Sequence, residues 1–128
     1  MKDVVVSLEY PLLYVEDPRH PATIVAEIAR PGDWWAANET QIALVVCCYV
    51  DGDVRVRLGS GSSDPERADW CSLVRELETP SRTLAVQTVE GEVLATLDVP
   101  DVRTRVHIRL NSKEHADLVL VSVDLTLP

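Results

Sequence analysis

The sequence predicts an all-β protein, a single-domain antiparallel β-sandwich or flattened barrel of about eight strands, with at most one or two short helices. Two stretches alternate apolar with mostly basic side chains, residues 54–58 and Arg103–Leu110. A period of two is that of a strand with one buried and one solvated face. Valine is abundant and favours strands, and turn-forming residues separate the short apolar segments. A chain of 128 residues with 46% hydrophobic composition can bury one core, so residues 1–128 are interpreted as one domain.

The first half of the chain supplies the less regular predicted elements. Residues 4–8 are predicted to form a strand. The segment from Pro11 through Val15 is predicted to be an edge strand or a bent strand, because proline has no N–H to donate a hydrogen bond to a neighbouring strand. Residues 23–29 fit either a helix face or a strand, and the strand is preferred for their β-branched content.

The middle of the chain predicts a hairpin. Residues 41–50 are nearly all apolar, as in a strand covered on both faces. The Asp51-Gly52-Asp53 turn signal predicts that this strand pairs directly with residues 54–58.

The second half predicts a series of neighbouring strands. Residues 70–78 fit a strand or a short helix, whereas residues 83–89 and 92–97 flank Glu90-Gly91 and predict a second hairpin. Arg103–Leu110 is the alternating strand, and residues 118–125 close the sheet.

Charge and cysteine content narrow the functional classes. The net charge is −9, with 21 acidic and 12 basic residues, which disfavours nonspecific attraction to nucleic acid or anionic lipid and favours a basic protein partner. Cys47, Cys48 and Cys71 match neither a disulfide framework nor a zinc-site spacing. The N-terminal apolar run is too short for a signal peptide, and the longest apolar run is too short for a membrane span. We therefore expect a cytoplasmic monomer or homodimer without cofactor or metal.

Two sets of side chains are candidate binding residues. Arg55 and Arg57 share one face of a predicted strand, and a second strand carries four basic side chains on one face, namely Arg103, Arg105, His107 and Arg109. If the two strands are neighbours they form a basic patch able to grip a carboxylate or phosphate, although cross-strand pairing with Glu76, Glu78, Glu90 or Glu92 is the simpler interpretation.

Three tryptophans are the other candidates. Trp34-Trp35 follows a Pro-Gly-Asp break, and consecutive strand residues cannot both point inward, so one indole is expected near the surface as an interface anchor. Trp70 is expected in the core.

Several of these segments also resemble the bacterial competence-J family of small nuclease inhibitors. The matching points lie between Leu8 and Leu110 and comprise the segment from Tyr10 to Asp17, Trp34-Trp35, Trp70 with Val74 and Glu76, and Arg105-Val106-His107-Ile108-Arg109. The chain departs from that family in having no phenylalanine. The resemblance implies a small β-sandwich that blocks a basic nuclease or toxin by occupying its site, and it assigns no individual residue.

The sequence thus favours a non-enzymatic protein-binding module, of inhibitor or immunity type, with no catalytic residue assigned. Two alternatives remain open. Small or polar residues at Thr83, Ala85, Gln87 and Ala95 would allow a small-ligand pocket between sheets, and loop carboxylates with a histidine would allow a cytoplasmic enzyme.

Overall fold

Ten strands make up the regular structure of the described part of the chain. The computed structural model describes residues 2–20, 26–30, 32–46, 52–60, 70–112 and 116–123, and within these ranges the chain forms no helix. The strands are β1 (Lys2–Val6), β2 (Leu12–Glu16), β3 (Trp35–Ala37), β4 (Gln41–Val45), β5 (Val54–Ser60), β6 (Cys71–Glu78), β7 (Thr83–Thr88), β8 (Val93–Asp98), β9 (Arg103–Leu110) and β10 (Leu118–Val123). No helix among these residues could cross a membrane.

Two five-stranded sheets contain these strands. Sheet A has the order β1-β5-β10-β9-β6, and sheet B has the order β3-β4-β2-β7-β8. The all-β prediction is confirmed, and the sandwich is the correct one of its two alternatives. Pairing is antiparallel throughout, except that β10 runs parallel to β5.

The period-two pattern directs the apolar side chains into the space between the sheets. In β5, Val54, Val56 and Leu58 are fully buried, while Arg55 and Arg57 lie on the opposite face. The inward positions of the other strands follow the same alternation, and one core cluster joins both sheets. The sheet faces predicted for β5 and β9 are therefore confirmed.

The predicted hairpin between β4 and β5 is wrong. β4 belongs to sheet B and β5 to sheet A, where β5 pairs with β1 and β10. A glycine-containing turn signal is local, whereas the sheet that a strand joins depends on partners distant in sequence. The chain between these strands crosses from one sheet to the other, and residues 47–51, which include Cys47 and Cys48, lie outside the described residues.

Two further predictions need correction. β2 was predicted to be an edge or bent strand, but it is the central strand of sheet B and pairs with both β4 and β7. Pro11 lies just before the strand, so its missing N–H removes no hydrogen bond between the strands. Residues 26–29 form no strand, and residues 21–25 lie outside the described residues.

The first strand is confirmed but lies at Lys2–Val6 instead of residues 4–8. The segment over residues 70–78, for which strand and helix were both open, forms strand β6, which pairs with β9 without a register shift. β7 and β8 form the predicted hairpin, in which Gly91 adopts φ 89°, a left-handed conformation that glycine tolerates.

The middle of the outer face of sheet B is buried. Glu16, Gln41 and Gln87 are all at most 8% exposed there, and the Glu16 carboxylate accepts hydrogen bonds from Gln41 Nε2 at 3.0 Å and from Gln87 Nε2 at 3.1 Å. The Ala26 N–H donates to Gln41 Oε1 at 2.8 Å, so Ala26 contacts this face.

Asp17 joins the end of β2 to the turn between β6 and β7. It is 1% exposed, and its carboxylate accepts hydrogen bonds from the Ser81 hydroxyl at 2.6 Å, the Ser81 N–H at 2.7 Å and the Arg19 N–H at 2.9 Å. Burial acts to raise the pKa of Asp17, but the hydrogen bonds from Ser81 and Arg19 and the charge of His20 outweigh it and lower the pKa below 3.8.

We expect Asp17→Asn to lower the free energy of unfolding at neutral pH by about 2 kcal/mol, because the amide replaces a charged acceptor of several hydrogen bonds. A lowered folded-state pKa stabilises the protein fully above the unfolded-state value and loses this contribution as pH falls through the folded-state value. The difference between wild type and variant, measured by urea unfolding, should therefore shrink on acidification below pH 3.8. Asp98→Asn, which removes an exposed carboxylate, is the control. A difference independent of pH would contradict the assignment.

Candidate functional site

The predicted basic side chains lie on the outer face of sheet A. Arg55 and Arg57 of β5 point outward with the outward residues of β9, but β10 separates the two strands. The register aligns Arg57, Leu120 and Arg109 in one cross-strand row. The six side chains therefore form two basic stripes on either side of β10 rather than one continuous patch. We call this surface the sheet A face, comprising Arg55, Arg57, Arg103, Arg105, His107 and Arg109.

Acidic side chains pair with part of the sheet A face. The Asp3 carboxylate of β1 forms ion pairs with Arg55 Nε at 3.2 Å and with Arg57 Nε at 3.5 Å. On the other side of the face, Arg103 Nη1 lies 3.9 Å from Glu76 Oε2. Cross-strand pairing with Glu76 was predicted from sequence, whereas Asp3 was missed because its contact requires the β1–β5 pairing. Exposed pairs of this kind contribute about 0–1 kcal/mol to stability. The face carries five arginines against three acids, Asp3, Glu76 and Glu78, although the whole protein is strongly acidic.

The Trp34-Trp35 pair lies at the β3 edge of sheet B. Both indoles are half-buried and pack against the core, and their ring centroids are 6.3 Å apart in an edge-to-face arrangement. Trp35 lies opposite Leu44 on the inward side, and the Arg75 guanidinium lies 5.9 Å from its ring centroid. Trp70 is also half-buried and lies outside the core cluster, because Cys71, and not Trp70, takes the inward position at the start of β6. The expectation of Trp70 in the core was wrong.

One end of the sandwich presents an acidic and aromatic surface that the sequence did not reveal. We call it the acidic end and define it by Glu9, Tyr10, Val89, Glu90 and Glu92. Tyr10 is 53% exposed and Val89 is 38% exposed. They border a cleft of about 190 Å³ formed by the β1–β2 connection and the β7–β8 hairpin, lined by Ser7, Leu8, Glu9, Tyr10, Leu12, Thr88, Val89, Glu90 and Glu92.

The three glutamates of the acidic end lie close together. A hydrogen bond between the Glu9 and Glu90 side chains and the negative charge of Glu9 raise the pKa of Glu90, with smaller contributions from desolvation and Glu92. Closely spaced carboxylates concentrate negative potential in a small area. The sequence brings Glu9 and Glu90 together only through tertiary structure, so no local pattern could have identified this pair.

The structure describes only some of the residues that an enzyme or a ligand pocket would use. Cys71 is half-buried and lies opposite Leu110, while His115 and the loop acids Asp64, Glu66 and Asp69 lie outside the described residues. Within the described ranges, no three histidine, cysteine or acidic side chains are placed to hold a metal ion. The residues proposed for a pocket between the sheets are divided, because Ala95 lies in the core whereas Thr83, Ala85 and Gln87 lie on the outer side of β7.

Comparisons with known proteins identify the fold. No protein-family model matches the sequence, and no curated protein matches it significantly. The crystal structure of ComJ, an inhibitor of the DNA-degrading activity of NucA from Bacillus subtilis, superimposes with a TM-score of 0.68 at 14% identity over 98% of this chain and 96% of ComJ. The structure of the crocagin biosynthetic gene J product superimposes with a TM-score of 0.59 at 15% identity over the same shares of the two chains. The predicted competence-J-like fold is confirmed.

Proposed function

We propose that this protein is a non-enzymatic inhibitor that binds a basic nuclease or toxin. The observation that carries the proposal is the acidic end, where the exposed Tyr10 side chain lies among three glutamates. Tyrosine is enriched among interface residues that contribute most of the binding energy, and acidic residues around it accelerate association with a basic surface. The similarity of the fold to ComJ, which inhibits a nuclease, supports the same class of partner.

Inhibition would follow from occupation of the partner's nucleic-acid cleft. Such a cleft is lined with basic residues that bind phosphates. Three carboxylates within one small surface offer these residues an alternative anionic ligand, while Tyr10 and Val89 exclude water from the contact. The protein need perform no chemistry.

The sheet A face contributes to the same proposal as a secondary surface. Its arginines can bind carboxylates bidentately, and Asp3 already occupies two of them within the chain. These six side chains remain proposed binding residues for acidic parts of a protein partner, and Trp34 and Trp35 remain proposed binding residues for the same partner.

DNA degradation in an extract of the native organism tests the proposal. We expect the purified chain to reduce cleavage of linear double-stranded DNA, and the nuclease recovered on the tagged chain to be inhibited stoichiometrically once purified. Inhibition should weaken as salt rises, because screening reduces electrostatic steering.

Two matched double variants separate local charge from net charge. Glu9→Gln with Glu92→Gln removes two carboxylates from the acidic end and should slow association at least about tenfold at low salt. Asp98→Asn with Asp101→Asn removes two exposed carboxylates at the opposite end and should leave inhibition unchanged. Equal effects of the two variants would assign the attraction to net charge, and an extract nuclease that neither binds nor is inhibited would refute the proposed function.

A further inference from the structure

A second cleft lies beside the tryptophan pair, separate from the acidic end. It measures about 320 Å³ and is lined by Gly32, Asp33, Trp34 and Trp35. The turn before it is closed by the Asp33 N–H donating to Arg30 O at 3.2 Å, and Gly32 adopts φ 93°, in the left-handed region that favours glycine. This turn places Asp33 among the residues that line the cleft.

A contact within the chain shows which kind of group binds to an indole of this pair. The Arg75 guanidinium lies 5.9 Å from the Trp35 ring centroid, within the range of a cation–π interaction. Trp34 contacts Trp35 edge to face, and among the described residues no cation lies over the Trp34 ring. The Trp35 ring thus already contacts a guanidinium, whereas no described residue places one on the Trp34 ring.

Asp33 supplies the complementary charge. Its side chain is exposed, and within the described ranges no basic side chain lies at ion-pair distance from its carboxylate. An aromatic face and a carboxylate bordering one cleft are the two elements that bind a guanidinium, the first through its π-electrons and the second through paired hydrogen bonds.

We propose that the cleft formed by Asp33, Trp34 and Trp35 binds an arginine side chain of the protein partner. The guanidinium would lie against Trp34 with its N–H groups directed at the Asp33 carboxylate, repeating on Trp34 the contact that Arg75 makes with Trp35. The identification of the arginine as the partner's rests on the proposed function, since a basic nuclease displays arginines. The cation site itself rests only on the geometry of the cleft.

Titration of the isotope-labelled full chain with the peptide acetyl-Gly-Arg-Gly-amide, followed by the NMR signals of the three indole N–H groups, tests the site without a nuclease. We expect the Trp34 and Trp35 signals to shift and the Trp70 signal to remain in place. The same peptide with citrulline, the neutral isostere of arginine, should bind at least about fivefold more weakly, because the cation–π and ionic contributions are lost. Asp33→Asn should weaken arginine-peptide binding about threefold or more, whereas Asp98→Asn should not change it.

The outcomes separate this inference from the proposed function. Equal binding of the arginine and citrulline peptides, shifts confined to Trp70, or no effect of Asp33→Asn would overturn the arginine site even if a nuclease is inhibited. Selective shifts of Trp34 and Trp35, with weaker binding of the citrulline peptide and weaker binding by Asp33→Asn, would establish it even if no nuclease is found. Trp34→Phe, which keeps an aromatic side chain in the fold, should retain part of the binding, and full binding by this variant would remove Trp34 from the site.

Discussion

Replacement of Ile108 by alanine is expected to lower the free energy of unfolding by about 3 kcal/mol. Ile108 is fully buried on the inward face of β9, where it lies opposite Leu73 of β6 and Val121 of β10. The substitution removes two methyl groups and one methylene group from the core, so the free energy gained by burying them is lost. It also leaves a cavity, which the paired strands on both sides cannot close. Urea unfolding monitored by circular dichroism measures the loss.

A matched substitution on the surface is the control for this effect. Val102 is 53% exposed in the connection between β8 and β9, and Val102→Ala should change stability by less than about 0.5 kcal/mol. The slope of the unfolding free energy against urea should be similar in both variants, because the same surface is exposed on unfolding. A loss below about 1 kcal/mol for Ile108→Ala would show that the core relaxes around the cavity.

Predictions that depend on one strand alone succeeded. Alternation in β5 and β9 identified the buried side chains and the basic ones correctly, because the pleat sends successive side chains to opposite faces whatever the neighbouring strand is. The β7–β8 hairpin was also predictable, since its turn residues and both strands are adjacent in sequence.

Predictions that depend on which strands become neighbours failed or were incomplete. The β4–β5 hairpin was inferred from a glycine turn, but β5 finds its partners in β1 and β10, the latter at the far end of the chain. Likewise, the two arginine-bearing strands share a face without being adjacent, because β10 inserts between them. Sequence separation hides such pairings, which are set by how the two apolar faces cover each other.

The candidate site was the least predictable part for the same reason. Trp34-Trp35 was identified from the preceding Pro-Gly-Asp break and from strand alternation, but its contact with Arg75 joins the edges of two different sheets. The acidic end joins Glu9 to Glu90, so neither stretch shows an acidic run by itself. The sequence feature that could have indicated this surface is Tyr10, an aromatic residue immediately before Pro11, where the chain turns between two strands.

Replacement of Tyr10 by alanine is expected to weaken binding to the inhibited nuclease by about 2 kcal/mol, roughly thirtyfold in the dissociation constant. Tyr10 is 53% exposed in the free protein, so a partner that covers it gains the burial of a large aromatic ring at small entropic cost. The surrounding glutamates restrict that partner to a basic surface. Inhibition constants for DNA cleavage by the recovered nuclease measure the effect.

The same exposure predicts that Tyr10→Ala leaves the free energy of unfolding within about 0.5 kcal/mol of wild type, so loss of binding and loss of folding can be told apart by urea unfolding. Tyr10→Phe keeps the ring and should retain most of the affinity, whereas Val102→Ala, at the opposite end of the sandwich, should retain all of it. Undiminished inhibition by Tyr10→Ala would show that the principal contact with the nuclease does not lie at the acidic end. The arginine cleft beside Trp34 and the sheet A face would then be the surfaces to test for the principal contact, because half-buried tryptophans lie beside Asp33 in the first and outward arginines lie beside Asp3 in the second.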